Sequence, residues 1–195
     1  MFVRLAAVRQ WTSIHVTTAI AAMVCVTASL VAAPNVQGMV GAGLALIMIA
    51  IAVVDARRFI IPDDLNIAAL GLAFVNTTFG GNEPAVAAIT AAVVRGCTLS
   101  LAFLGLRIIY RHLRKRDGLG LGDVKLAGVA GAWLGWQTMS IAVEIAAVSA
   151  LIVYLGRQLA SGRPLRSTSY LPFGLFLAPA IWLGWLIETM WLAPQ

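Results

Sequence analysis

Long apolar runs alternate with short polar or charged breaks along nearly the whole chain. A helix that crosses the hydrocarbon core of a bilayer needs about 20 mostly apolar residues, and most of these runs approach that length. The pattern predicts an all-α polytopic membrane bundle of seven transmembrane helices, with six as the alternative. The predicted spans are Trp11 to Ala33, Gly38 to Val54, Asp64 to Phe79, Ala85 to Leu106, the glycine turn before Asp123 to Gln137, Ser140 to Leu155, and a last span ending near Trp191.

Composition narrows the class of protein. Of 195 residues, 61% are hydrophobic and 11% are charged, and the mean hydropathy is +0.91. These values exclude an ordinary soluble domain and predict a single integral-membrane domain over residues 1–195. Cys25 and Cys97 lie in apolar segments without CxxC or Cys/His spacing. The sequence therefore predicts no metal site, no disulfide framework and no cofactor.

The positions of the basic residues predict an orientation. With the N-terminus inside, the inside segments contain 12 of the 14 Lys and Arg residues. Lys/Arg excess in short loops marks the cytoplasmic side, so the predicted topology is N-in and C-out. The first span is interpreted as a retained helix, although a small-residue stretch at its end would also suit a cleaved signal peptide. The net charge of +6 is thus assigned to contact with membrane lipids, and no nucleic-acid partner is expected.

Arg95 and Glu144 are charged residues in the interior of predicted spans. Arg95 lies in the fourth span and Glu144 in the sixth. Charges in a bilayer are costly and usually pair, so a structural ion pair between these two residues is one prediction.

Two acidic stretches are predicted at the same, inner face. Asp55 closes the second span and is followed by Ile61-Pro62-Asp63, and the turn Gly120-Leu121-Gly122-Asp123 opens the fifth. Two neighbouring carboxylates do not both ionise easily, so one keeps a proton while the other loses it. Such a pair can activate water and protonate a leaving group, which peptide hydrolysis requires. Pro62 ends one helix and the glycines open another, so a substrate would meet both acids where backbone is not fully wound.

With these motifs the chain resembles the type IV prepilin peptidases, membrane aspartic proteases of the GxGD class. The similarity runs from about Ala52 to the C-terminus and includes the segment Gly131-Ala132-Trp133-Leu134-Gly135. Downstream, it includes Pro172-Phe173-Gly174. The resemblance implies that Asp55 and Asp123 are the catalytic pair, acting on prepilins or type II secretion pseudopilins. It implies substrates with a basic leader, which is removed, and an apolar helix. It also implies a location in the bacterial inner membrane, with cleavage at the cytoplasmic face.

Several further residues are assigned supporting parts in the predicted substrate cleft. Pro62, Asp63, Gly120, Gly122 and Lys125 flank the acids, and Pro172, Phe173 and Gly174 are assigned to the same cleft. Lys125 is expected either to tune Asp123 or to extend its ammonium group to the membrane interface. An acidic patch formed by Asp63, Asp64 and Asp117 would receive a basic leader, and the alternative for these three is simple solvation at the interface.

Two departures from the family pattern change the expectation. Bifunctional members carry a cytoplasmic domain with paired CxxC motifs between the first two spans, linked to N-methylation, whereas only the break Pro34 to Gln37 stands here. The expectation is protease activity without N-methyltransferase activity. In addition, Leu175 stands where the family's Pro-Phe-Gly segment often continues with proline.

Two other classes of function compete with the protease. A small proton-coupled transporter would use intramembrane acids as a proton relay. A structural subunit of a secretion or pilus machine would need no chemistry. Against the transporter, the sequence shows no internal repeat, and both key acids lie at one face rather than at the midplane.

Overall fold

The computed structural model describes residues 2–33, 35–79, 84–115, 118–161 and 172–192, with the main chain alone for residues 2–15 and 161. The described residues form seven α-helices and no strand, which confirms the all-α prediction. The helices are α1 (Phe2–Ala32), α2 (Val36–Arg58), α3 (Asp63–Phe79), α4 (Ala85–Arg114), α5 (Leu121–Trp133), α6 (Trp136–Ser161) and α7 (Gly174–Ile187), and α7 continues into a π-helical turn, Glu188–Leu192.

The end of α2 places the next three residues beside its last turn. Phe59 adopts a left-handed conformation (φ 55°), and its N–H donates to the Asp55 carbonyl oxygen, as in a helix C-cap. Pro62 then precedes the first residue of α3. Proline is tolerated at the start of a helix but not in its interior. The chain therefore turns sharply between α2 and α3, with Ile61 buried in the turn.

Helices α2, α5 and α7 form the centre of the bundle. Leu44, Leu126 and Leu177, one from each helix, are fully buried. Around this centre, α1 packs on α2, α6 packs on α7, and α4 packs on α5. The α4–α5 contact is close. A Cβ added at Gly131 would lie only 2.5 Å from the Arg95 carbonyl oxygen, so the lack of a side chain at Gly131 permits this approach. Small residues of this kind let membrane helices approach backbone to backbone.

The break between α5 and α6 corrects the predicted boundary. The fifth span was expected to reach Gln137 and the sixth to begin at Ser140, but α6 already begins at Trp136. The Glu188 carboxylate accepts hydrogen bonds from the Gly135 N–H (3.1 Å) and the Thr138 hydroxyl (2.8 Å). A carboxylate from the end of α7 therefore caps the start of α6.

Two other predictions about the helices need correction. Helix α4 continues to Arg114, eight residues past the predicted end at Leu106. The prediction marked the end of the apolar run, but the helix continues through the basic residues that follow it. The predicted pair of Arg95 and Glu144 is wrong: the structure contains no ion pair between these two described residues. Arg95 Nε donates instead to the Gly131 carbonyl oxygen at 3.2 Å.

Four described helical segments are long and apolar enough to cross a membrane, so the chain is a multi-pass membrane protein. A shorter apolar helix covers Val16–Ala32. Helix α3 has 17 residues and α5 has 13, and at 1.5 Å per residue α5 is about 20 Å long, short of a hydrocarbon core of about 30 Å. The count of seven spans stays a prediction. The four segments are Val36–Arg58, Ala85–Arg114, Trp136–Ala160 and Gly174–Trp191.

Candidate active site

Asp55 lies in the last turn of α2 and faces the beginning of α7. Its carboxylate Oδ2 accepts a hydrogen bond from the Leu175 main-chain N–H at 2.9 Å. The N-terminus of a helix carries unpaired N–H groups and a partial positive charge, which together favour an anion. The side chain is 4% exposed, so α7 supplies the polar partner that this buried carboxylate needs.

Asp123 lies in the first turn of α5 and is also buried. Its Oδ2 accepts a hydrogen bond from the Gly120 N–H at 3.1 Å, so the residue caps its own helix. The preceding loop is tied to α4, because Arg107 Nη1 donates to the Leu119 carbonyl oxygen at 2.6 Å. These contacts orient Asp123 through residues close to it in sequence and through one arginine.

The two carboxylates line one cavity of about 410 Å³ at the end of the bundle where α2 ends and α5 begins. They are close enough to interact electrostatically, and the Gly174 main-chain N–H interacts with both. The other residues that line the cavity are Phe59, Ile60, Ile61, Pro62, Asp63, Gly120, Leu121, Gly122 and Lys125.

Two glycines leave room for Ile61 and Asp55 in the wall of the cavity. A Cβ added at Gly174 would lie 2.8 Å from Asp55 Oδ2 and 2.7 Å from Ile61 Cδ1. On the opposite side, a Cβ at Gly122 would lie 3.0 Å from Ile61 Cβ. Ile61 therefore fits between the two glycines, and side chains at either position would displace the walls of the cavity.

The electrostatics of Asp123 suit a residue that carries a proton. This residue lies outside the four segments that are long enough to span. Burial raises the pKa of its carboxyl to about 6, although the Gly120 N–H acts in the opposite direction. The neighbouring Asp55 also raises the pKa of Asp123, whereas the Arg107 guanidinium lowers it. Two neighbouring carboxyl groups do not both ionise easily, so Asp123 is the one suited to retain a proton.

The remaining predicted residues fall into two groups. Lys125 Nζ contacts Asp63 Oδ1 at 2.6 Å across the cavity mouth, so its ion-pair partner there is Asp63 rather than Asp123. Of the proposed acidic patch, Asp64 is exposed at the start of α3, and Asp117 lies outside the described residues.

The Pro172-Phe173-Gly174 segment lies at the same end of the bundle. The Phe173 ring packs against Phe103 of α4, with ring centroids 6.2 Å apart. Pro172 precedes α7 and does not line the cavity, unlike Pro62. In this segment Gly174 therefore contacts Asp55 directly, and Phe173 anchors the start of the helix.

Three residues at the site were not predicted from the sequence. Leu175 was treated as a departure from a motif, yet its N–H is the donor to Asp55. Arg107 was counted among the 12 inside Lys and Arg residues that predict the orientation. Ile61 carried no polar signal, and its importance comes from its fit between two glycines. A signal was present for Arg107 alone, as the first arginine after a long apolar run.

Among the described residues, no group of three or more His, Cys, Asp or Glu side chains converges as metal ligands do. The titratable groups that line the cavity are Asp55, Asp63, Asp123 and Lys125. Since Asp63 and Lys125 neutralise each other, the two remaining carboxylates are the groups suited to proton transfer.

Comparison with known proteins agrees with this geometry. The type IV leader peptidase family matches residues 42–155, more than half of the chain. A prepilin leader peptidase/N-methyltransferase of Burkholderia pseudomallei (strain K96243) is 32% identical over 146 residues, which cover 74% of this chain and 45% of that protein. Proteins of the same name from Aeromonas salmonicida (28% identical over 143 residues, 73% of this chain and 47% of the relative) and Escherichia coli K12 (30% over 139 residues, 71% and 60%) also match.

The chain spans about half the length of most of these curated relatives. No solved structure matches it. The family match includes both Asp55 and Asp123, the whole of α5 and most of α2. The chain therefore belongs to the type IV leader peptidase family.

Proposed function

We propose that this protein is an aspartic endopeptidase that removes the basic leader of prepilins or type II secretion pseudopilins. One observation carries the proposal: two buried carboxylates from separate helices, Asp55 and Asp123, share one cavity in a chain of this family. The names of the relatives support a prepilin substrate, and the geometry supports the two-acid chemistry.

In the proposed reaction Asp55 is the base and Asp123 is the acid. Asp55 removes a proton from a water molecule, whose oxygen attacks the scissile carbonyl carbon, while Asp123 donates its proton to the carbonyl oxygen. In the second step Asp123 recovers a proton from the tetrahedral diol, and Asp55 passes its proton to the amide nitrogen as the C–N bond breaks. Both carboxyl groups return to their starting states, and the raised pKa of Asp123 suits the protonated partner.

We further propose that the cavity opens at the cytoplasmic face of the inner membrane, with the N-terminus inside and the C-terminus outside. The end of the bundle that contains the acids also contains Arg57, Arg58, Arg107, Arg111 and Arg114 at the ends of α2 and α4. Basic residues favour the cytoplasmic side. Reporter fusions after residue 195 and within residues 159–165 test this, and a cytoplasmic signal from the C-terminal fusion would overturn the topology.

Proteolysis without methyl transfer is the proposed activity, although the relatives' names include N-methyltransferase. Helix α1 ends at Ala32 and α2 begins at Val36, so no folded module separates them. Mass measurement of the product formed in the presence of a methyl donor would contradict this part of the proposal if the product gained one methyl group.

The decisive experiment uses the purified full chain in lipid vesicles with a purified prepilin that retains its leader. Cleavage at a single bond, with the leader and the mature protein identified by mass, is the expected result. A transporter or a structural subunit would leave the prepilin intact, so an uncleaved substrate in the presence of folded protein would refute the proposal.

A further inference from the structure

A second cavity, of about 460 Å³, lies between α3, α4 and α5. Leu70 and Phe74 of α3 form one wall, and small residues such as Gly96 and Gly128 lie at the close contact of α4 with α5. Ile67 and Val93 also line this groove and are 68% and 44% exposed, so it is open on the outer surface of the bundle. Most of its lining residues are apolar, as a site for an apolar segment requires.

Asn66 is a polar exception in this lining. It is 6% exposed, and neither its amide nitrogen nor its amide oxygen has a hydrogen-bond partner. A buried amide without partners is destabilising, and such groups in folded proteins call for an explanation. The amide provides both a donor and an acceptor, which is what one residue of unwound peptide backbone requires.

The groove meets the catalytic cavity at one point. Asp63 and Lys125 line both cavities, and the ion pair between them lies where the two meet. Both side chains are more than half exposed, and an ion pair in such a position contributes little free energy, so a peptide can displace it. A chain that passes this point would connect the two carboxylates to the groove.

We propose that the groove binds the apolar segment that follows the scissile bond of the substrate. In this proposal the Asn66 amide hydrogen-bonds the main chain of the first residue of that segment, which is unwound. The inference rests on the proposed leader-peptidase function. A substrate with a basic leader and an apolar helix has two parts of opposite character, as the two adjoining cavities do. A peptide must be unwound at the bond to be cleaved, which leaves main-chain groups free beside Asn66.

Kinetics with two substrates test the groove separately from the catalytic site. The long substrate contains the leader and the complete apolar segment, and the short one ends four residues past the cleaved bond. For the wild type we expect kcat/KM to be at least tenfold higher for the long substrate. Val93→Trp fills the groove and should reduce this ratio to below threefold.

Val94→Trp is the matched control. Val94 lies on the same helix and is 49% exposed, against 44% for Val93, but it does not line the groove. It should keep the wild-type ratio. A Val93→Trp enzyme with the wild-type ratio, or a wild type with a ratio near one, would overturn the groove proposal while the peptidase function stands. A wild type that cleaves neither substrate would overturn the proposed function itself.

Asn66→Leu separates substrate contact from stability. Because it removes an unpartnered buried amide, the melting temperature should stay equal or rise, while KM for the long substrate rises at least fivefold. A variant with a lower melting temperature and unchanged KM would show that the amide is structural and would overturn its assigned contact.

A cross-linking experiment identifies the occupant without relying on turnover. In a Cys25→Ser, Asp123→Asn background, a benzophenone maleimide on Cys97, which is exposed and lines the groove, should cross-link to the apolar segment of the long substrate. A probe at Val94→Cys in the same background with Cys97→Ser should not. Cross-links from Cys97 to vesicle lipid alone would show that the groove binds acyl chains and would overturn the proposal.

Discussion

The carboxylates of Asp55 and Asp123 both lie at the N-terminus of a helix. For Asp123 this helix is its own, α5, whereas for Asp55 it is the distant helix α7. Asp123 accepts its hydrogen bond from Gly120, three residues earlier in its own turn. Asp55 accepts from Leu175, 120 residues further along the chain. Asp123 is positioned mainly by residues near it in sequence, whereas Asp55 gains its hydrogen-bond donor only when α7 packs against α2.

The difference shows how the site is assembled. A residue at the C-terminal end of a helix faces unpaired carbonyl groups, which disfavour a carboxylate. Asp55 lies in that position in α2, and the N–H groups at the start of α7 compensate. Because these groups belong to a distant helix, the Asp55 side of the site depends on tertiary packing, and the Asp123 side depends mainly on its turn.

The largest expected effect comes from replacing either of the two acids. Asp55→Asn and Asp123→Asn should each lower kcat for leader cleavage by about 10³-fold or more, since removing a group that transfers a proton costs about 10²–10⁴-fold. Substitution by Asn preserves shape and hydrogen bonding, so both variants should still insert into the membrane. Cleavage of a purified prepilin, followed on gels, measures the effect. Normal processing by either variant would exclude that residue from catalysis.

Gly174→Ala should act mainly on the Asp55 side, although the Gly174 N–H also interacts with Asp123. The added methyl group would lie 2.8 Å from Asp55 Oδ2, so the carboxylate must move, and misplacement by about 1 Å can reduce activity about 10²-fold. The control is Gly156→Ala in α6, where a Cβ meets nothing within 4 Å. Initial cleavage rates and melting temperatures of both variants should show lost activity for the first only. Equal activity of the two would mean that α7 does not position Asp55.

The two acids also differ in what could be predicted from sequence. Long apolar runs predict helices because a membrane helix must satisfy its own backbone, and a carboxylate in such a chain is a functional candidate. Asp55 and Asp123 could therefore be identified from the sequence. The Leu175 donor could not be identified, because every residue except proline has a main-chain N–H and the sequence does not show which one donates. The break at Gly135 was predicted a few residues too late for a related reason: its cap, Glu188, comes 53 residues later.

The pH dependence tests the electrostatics of the Asp123 side. If Asp123 donates the proton, kcat/KM should fall as the pH rises through about 6, where this acid loses it. The Arg107 guanidinium lowers the pKa of Asp123, so Arg107→Gln should move the falling limb to higher pH. Arg107→Lys retains the charge and should restore most of the wild-type profile. Identical profiles for the wild type and Arg107→Gln would remove the arginine from this part of the mechanism.

The smallest expected effect separates the hydrogen bond to Asp55 from the packing around it. Leu175→Pro removes the N–H that donates to Oδ2, yet proline is tolerated in the first turn of a helix, so the bundle should still fold. Leu175→Ala removes the side chain and keeps the N–H. The hydrogen bond contributes about 1 kcal/mol or slightly more, which corresponds to a reduction in kcat/KM of about 5- to 10-fold for the proline variant relative to the alanine variant. The Gly174 N–H still interacts with Asp55, which limits the loss. Rates of prepilin cleavage measured side by side decide: if alanine lowers activity as much as proline, then packing by the Leu175 side chain, and not its main-chain donor, orients Asp55.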